Sequence, residues 1–474
     1  MASSPPTSGG SGPRPEGPLG GSSHGTSPQV SRGPLRVLLG RSVRVVLVAG
    51  LLYMVAGYLT ARLGPQPPLG VETLDYARVD AVLSEPARSQ VVRSHVVRGA
   101  LSVHSGRSHD AEGTLDEVAR AARKADLDFV VLGDHPEVWT EAEDAFEPRW
   151  MDDALIVPGV EMVVADRGRV LAVGLDTVPR RWEASLSSLI SRVDTAHGFV
   201  SVVHPRSPRN RERWKDQAPV GVHAWESFDV SEMARSRLSE RWALYHIGGF
   251  LMGLPTGRAD EVVVGMWRER TATPAILAYD TIRSAGPTTL TGGLNHHPKA
   301  RVPGGLFPAY APFFQSVVNH VTLPAPLSAD PRTARQQLMA ALRAGAVHVS
   351  LGHPDRVEGF RFWVETPDEV AVQGGRLETP SPGDATLRVR IPDDAPGRVY
   401  VRFVQDGGEV LWAKAEAGET IVRVGSEGVH RVEIHHAGRR VPLLGRLNLR
   451  PWILSNPIEI RRADPDGESP RGTS

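Results

Sequence analysis

Within ALSVHSGRSHDAEG, residues 100–113, His104, His109 and Asp110 fall close together directly after an apolar run. The chain has no cysteine, so any metal must be held by imidazole, carboxylate or backbone oxygen. The same conjunction recurs. Asp134 and His135 follow FVVL, Glu161 follows ALIVPGV, His204 follows FVSVV, Glu226 follows HAW, and Asn295 and His297 follow TTLTGG. Each apolar run carries a polar, potentially metal-ligating residue at its C-terminal end. Metal-activated water needs no nucleophilic side chain, which suits a chain lacking cysteine. A lone histidine after a strand is usually a loop or core residue, and His246, His320, His348, His435 and His436 are read that way. Ser102 lies two residues before His104, where a site of this kind would want another ligand.

The runs need a frame that brings them together. Between 95 and 350, VVRGALSV, FVVLGDH, ALIVPGVE, VLAVG, FVSVVH, HAWESF and TTLTGGLNHH alternate with helical patterns. TLDEVARAARKA opens with a capping box, Thr114 and Glu117, and puts Leu115, Val118, Ala119 and Ala122 on one face. Strand–helix alternation predicts a parallel α/β sheet, open or closed into a barrel, with the C-terminal strand ends converging on one pit. RTARQQLMAALRAG, ended by Gly345, bridges to a different region. From 356 to 462 the strands are short and several alternate strictly: Leu387, Val389 and Ile391 face one way, Arg388 and Arg390 the other. Turn signals such as DGG at 406–408 separate them. This is the pattern of a small antiparallel β-sandwich.

The bulk properties set bounds. The chain has 474 residues, enough for two or three cored units, and its 54 basic and 54 acidic residues cancel. A general nucleic-acid binder normally carries a basic excess, so no nucleic-acid partner is expected. Residues 1–33 are Ser/Gly/Pro-rich and predicted disordered, as is the tail 463–474. Val45 to Ala61 is free of charge, with Arg32, Arg36, Arg41 and Arg44 before it and Arg62 after it. This predicts a transmembrane anchor at 43–62, the N-terminus cytoplasmic and the bulk extracytoplasmic. A cleaved signal peptide or a buried helix are the other readings, although no clean small-x-small cleavage site follows. Residues 63–94 are a linker and lead-in segment, stiffened by GPQPPLGV at 64–71.

The order and spacing of these motifs resemble the polymerase-and-histidinol-phosphatase (PHP) superfamily of metal-dependent hydrolases. GDH at 133–135, Glu161 in VPGVE, His204 in VVHP and Asn295-His296-His297 stand at its motif positions. The C-terminal sandwich and PWILSNPI, 451–458, look like the carbaryl-hydrolase-type branch, in which Glu226 matches a ligand-bearing strand. The resemblance covers roughly 95–350. It implies a (β/α)7-type PHP barrel with one to three divalent ions, zinc, manganese or iron. Ser102 stands where the family has its first His and Asn295 where it has its closing Asp. With His104 and Glu161 these would build one metal position, left short of ligands. Asp110, His135 and His297 resemble a second, and Glu161, His204 and Glu226 a third. His109 and His296 are spare histidines beside ligand positions. Arg206 is either a substrate contact or a solvated loop charge. The implied activity is a membrane-anchored hydrolase acting on a phosphoester, ester or carbamate, its partner a small-molecule or phosphorylated substrate. The alternative is a degenerate, non-catalytic PHP domain that binds a ligand or a protein.

Overall fold

The structure is a computed structural model. It describes residues 93–463, with 43, 45–56 and 89 ahead of them, apart from gaps at 137, 143, 165–166, 179–184, 208, 216–220, 231, 233–250, 252–273, 303–304, 353–356, 396–398 and 438–448. The expected disordered segments at 1–33 and 464–474, the linker 63–88, residues 57–62 of the expected span, and His246 lie outside the described residues. Residues 43 and 45–56 are helical. Among the described residues no helix is long and apolar enough to cross a membrane.

The first part of the fold runs β1 (His95–Val103), α1 (Leu115–Lys124), β2 (Phe129–Leu132), β3 (Arg149–Met151), β4 (Ala154–Val157), β5 (Gly159–Val164), β6 (Gly168–Val173), α2 (Leu186–Thr195), β7 (Phe199–Val203) and β8 (Ala224–Asp229). It continues α3 (Pro274–Ala285), β9 (Thr289–Gly293), β10 (Ala300–Val302), β11 (Gly305–Phe307), α4 (Tyr310–Phe314), β12 (Val317–Leu323), α5 (Pro331–Arg343) and β13 (Val347–Leu351). Local chemistry fixes the helices. Thr114 and Glu117 cap α1 reciprocally, and Val118, Ala119 and Ala122 are its buried residues. Asp330 caps α5 ahead of Pro331, and Gly345 at φ +73° follows its end.

The expected barrel is not closed by a continuous ladder. One sheet runs β13-β12-β1-β2-β4-β3, the other β5-β6-β7-β8-β9. Pairing is mixed: β1–β2, β2–β4, β7–β8 and β8–β9 are parallel, but β5–β6, β6–β7, β1–β12 and β12–β13 are antiparallel. The chain leaves the first sheet after Val157 and enters the second at Gly159 across Pro158, which has no N–H to continue a ladder. Two isolated parallel bridges, Asp134–Val160 and Val103–His296, join the sheets. Along β9, carboxamides stand in for a neighbouring strand. Asn319 Oδ1 accepts from Gly292 N at 3.0 Å while its Nδ2 donates to Gly292 O at 2.8 Å. Asn456 does the same for Leu290, at 2.6 and 2.8 Å, and also donates to Val347 O. A Cβ at Gly292 would come within 2.5 Å of Val317, so only glycine allows this approach.

Two apolar cores flank these strands. One packs Val118, Leu189, Ile276 and Phe314 of the helices against Val130, Val170 and Val202. The other gathers Phe129, Val131, Leu155, Leu171, Phe199 and Val203 with Leu338 and Met339 of α5. In β6, Arg169 shares a face with Leu171 and Val173, so polar groups on that face stand at the end of an apolar interior.

The remaining strands are β14 (Arg361–Glu365), β15 (Val370–Val372), β16 (Arg376–Thr379), β17 (Thr386–Arg390), β18 (Val399–Gln405), β19 (Gly408–Ala415), β20 (Thr420–Val424), β21 (Gly428–Ala437), β22 (Leu449–Ser455) and β23 (Ile458–Arg462). β15-β14-β17-β20 form one antiparallel sheet. A third core joins its Val364, Leu387 and Val389 to Val401, Ile434 and Trp452 of the other strands. Those other strands extend the first sheet, because β22 pairs antiparallel with β13. The boundary expected between 350 and 356 is thus crossed by a ladder. Arg431 of β21 also clamps Asp280 of α3 with two hydrogen bonds, 2.8 and 2.7 Å.

His320 and His348 are buried in β12 and β13, their rings stacked 4.8 Å apart at 4°. Burial pushes His320 down to about 3 and His348 well below the imidazole range. Both are neutral in the folded chain, and the unfolded chain takes up their protons first. Their contribution is complete above pH 6.5 and is lost as pH falls toward 3. Urea unfolding of His320→Gln should show stability falling less steeply from about pH 6 to 4, by up to about 1.4 kcal/mol per pH unit. An unchanged slope contradicts this assignment.

Candidate metal centre

The site is assembled by strand ends held in uncommon backbone conformations. Ser102, His204 and Asn295 have φ of +58°, +52° and +46°. For residues other than glycine this costs on the order of 1–3 kcal/mol each and persists where the surroundings enforce it. β1 carries an extra residue between Ala100 and Val103 relative to β2, which turns His104 into the pit. Asp134 does not join the ligand groups. Buried, it accepts from Ser105 N at 2.6 Å and Ser105 Oγ at 2.7 Å, fixing the turn after His104. Burial pushes its carboxyl up to about 7. Ser108 Oγ accepts from His135 N at 2.7 Å and lies 3.3 Å from His104 Nδ1.

His104, Asp110, His135 and His297 converge, each offering one ligand atom, all within 4.8 Å of one another. His297 Nε2 is 3.2 Å and His135 Nε2 3.8 Å from Asp110 Oδ2, and the His104 and His297 rings stack at 3.8 Å. Burial, then His297, lowers His104 to about 4. Burial alone would raise Asp110, but His297 holds it well below the carboxylate range. Near neutral pH the set therefore presents a neutral His104 and an ionised carboxylate, the forms a cation binds. His104 Nε2 and Glu161 Oε2 lie 3.2 Å apart, yet neither has an aligned hydrogen-bond partner, and Asp110 Oδ1 has none. Buried polar atoms are normally satisfied. Unsatisfied buried atoms on His104 and Asp110, within a group whose ligand atoms lie this close together, fit a divalent ion.

Glu161 links this group to a second. Its Oε1 is 3.5 Å from His204 Nε2. Burial would raise its carboxyl, but His204 and His104 hold it well below the usual range. Conversely, burial would lower His204, but Asp229 and Glu161 hold it well above. His204, Glu226 and Asp229 form the second group. Here the carboxylates already have donors. Asn295 Nδ2 donates to Asp229 Oδ2 at 2.9 Å and to Glu226 at 3.2 Å, His204 N donates to Glu226 Oε2 at 3.0 Å, and Glu232 N to Asp229 Oδ1 at 2.9 Å. His204 Nδ1 is 2.6 Å from Asp229 Oδ2 without hydrogen-bond alignment. A Cβ on Gly293 would lie 1.5 Å from Glu226 Oε1, so glycine makes room for this carboxylate. The second group is less suited to a cation than the first.

The sequence reading passed over Asp229 and Arg169. A bulge in β8 between Glu226 and Phe228 lets Glu226 and Asp229, three residues apart, serve one group. Arg169 Nη1 donates to Glu161 Oε1 at 2.5 Å and lies 3.3 Å from His135 Nε2. Arg206 is exposed in the turn after β7, so Arg169 supplies the guanidinium on Glu161. His296 points into the helical layer, stacked 4.1 Å from Phe313 with Nε2 3.2 Å from Pro308 O, and is no substitute ligand. His109 is exposed and stacks on His135 at 5.3 Å.

No family model matches the chain, and no curated protein matches it. Solved structures resemble it, two of them as follows. One is Endonuclease Q complexed with a 27-mer duplex substrate bearing an abasic lesion at the active site, with TM-score 0.26 and 10% identity over 51% of this chain and 57% of that one. The other is the lesion-specific endonuclease of Pyrococcus furiosus, with TM-score 0.26 and 11% identity over 57% and 62%. The chain thus spans less than two thirds of either. A likeness at this TM-score and identity assigns the chain neither to a superfamily nor to the carbaryl-hydrolase branch. The expectation of no nucleic-acid partner is corrected, since one of these neighbours was solved on a duplex substrate.

Asn295→Asp would set a third carboxylate against Glu226 and Asp229. Its melting temperature in chelator should fall by several degrees, reflecting about 3 kcal/mol of uncompensated buried charge, and recover when zinc or manganese is added. Melts matching wild type in both conditions would refute the donor role of Asn295.

Proposed function

We propose that this chain is a metal-dependent hydrolase of the PHP type, its ion held by His104, Asp110, His135 and His297. The supporting observation is the set of buried, orphaned ligand atoms, His104 Nε2 and Asp110 Oδ1, inside a converging group of three imidazoles and a carboxylate. A divalent ion there supplies a water nucleophile near neutral pH and positive charge for the developing oxyanion. The other roles belong to the chain. Glu161 Oε2, without a donor of its own, stands beside His104 Nε2 and adds negative charge next to the metal group. Lys299 Nζ, 3.6 Å from Asp110 Oδ2 and 57% exposed, adds positive charge at the rim. That charge favours a phosphoester over a neutral ester or carbamate. Tyr310 Oη donates to His104 O at 2.7 Å and holds the loop in place.

Elemental analysis after incubation with zinc, manganese or iron should find at least one ion per chain, lost in Asp110→Ala and His297→Ala. Against a panel of phosphomonoesters, phosphodiesters including duplex and single-stranded DNA, esters and carbamates, those variants should lose about 100-fold or more of whatever rate the wild type shows. A wild type that takes up no ion refutes the reading. Metal uptake without turnover would favour the binding-module reading, which the pairing of Asn295 and Arg169 with the pit's carboxylates supports.

From the arginine asymmetry around Val45–Ala61 we also propose a membrane anchor at 43–62 with the C-terminal bulk extracytoplasmic. A reporter active only in the cytoplasm, fused after residue 80, should be silent. Activity there reverses the orientation.

A further inference from the structure

Arg169 reaches the pit through strand direction. β6 runs antiparallel to both β5 and β7, so its second residue pairs with Val203, next to His204, and with Val163. Its side chain is on the face of Glu161, two positions along the partner strand. Nη1 donates to Glu161 Oε1 and lies 3.3 Å from His135 Nε2. A guanidinium only donates, so His135 Nε2 is the acceptor, which leaves Nδ1–H for Glu161 O at 3.3 Å. The same Nε2 faces Asp110 Oδ2. A metal in the first group would take that lone pair, and the guanidinium would then rest on Glu161 alone.

A second ion beside the first would need a ligand that touches both groups, and Glu161 is so placed. Its two oxygens reach His104 Nε2 and His204 Nε2, at 3.2 and 3.5 Å. That position already holds a fixed positive charge. The Arg169 side chain is only 21% exposed, and its Nε is buried without a hydrogen-bond partner. A dication on Glu161 would have to displace the guanidinium that already donates to that carboxylate, whereas one in the first group need only take His135 Nε2 from it. Asn295 shows the same substitution on the far side, with amide protons on Glu226 and Asp229.

We propose that the Arg169 guanidinium is the resident cation of Glu161, occupying the place of a second divalent ion, so that metal binds at the His104–Asp110–His135–His297 group and not at Glu161. This rests on the metal reading above and fixes where the metal stops. The test is ion stoichiometry of the full-length chain, stripped with chelator, titrated with zinc, and counted by elemental analysis and calorimetry. Arg169→Gln should bind one more ion per chain than wild type, and Arg169→Lys, which keeps the charge, should not. Adding Glu161→Gln to Arg169→Gln should remove the extra ion. Glu161→Gln alone should leave the wild-type count unchanged, and this arm stands even if Arg169→Gln fails to fold. An unchanged count in folded Arg169→Gln, or an ion lost from Glu161→Gln alone, overturns the proposal. A wild type without metal beside an Arg169→Gln that gains one ion would instead refute only the metal reading and leave the role of Arg169 standing.

Discussion

A single buried carboxylate organises this pit. Glu161 sits at the end of an apolar interior with almost no solvent, where an isolated anion is expensive. Positive and proton-bearing groups therefore gather on it: His104 on one oxygen, His204 and Arg169 on the other. His204 in turn requires Asp229, and Asp229 requires the Asn295 amide. The left-handed backbone at His204 and Asn295 is the strain that brings these partners within reach. Remove the carboxylate and the two ligand groups lose the side chain that touches both His104 and His204.

Much of the site could be read from the sequence, for a definite reason. A polar residue directly after an apolar strand is aimed by that strand, which marks His104 and His204, whereas Asp110, His135 and His297 lie further into loops and were marked by motif order. The helices were equally legible where capping chemistry is local, as at Thr114–Glu117. Arg169 was hidden because parallel strands would present only their C-terminal ends to the pit, whereas β6 runs the other way and offers its N-terminal end. Asp229 was hidden because a two-residue alternation places it opposite Glu226 unless a bulge intervenes. Neither strand direction nor a bulge leaves a local mark in composition.

Sheet closure was illegible for a related reason. A closed barrel was expected, but the seam beside β9 is made by the Asn319 and Asn456 side chains, each giving one donor and one acceptor as a peptide unit does. In sequence an asparagine among apolar residues reads as a turn or a cap. Its use as a substitute peptide depends on contacts 27 and 166 residues away.

Asn456 also decides how the chain can be divided. It belongs to the C-terminal strands, yet it completes β9, whose far end carries Asn295 and His297. A fragment ending near 350 would bare the N–H and C=O of Leu290, the carbonyl of Val347 and the whole pairing edge of β13. Each orphaned buried group costs about 1–3 kcal/mol, and an open strand edge invites pairing with other chains. The half that bears the pit is therefore not an autonomous module. Any recombinant boundary placed between the two halves should yield aggregating material, and a useful truncation must keep the chain through residue 462.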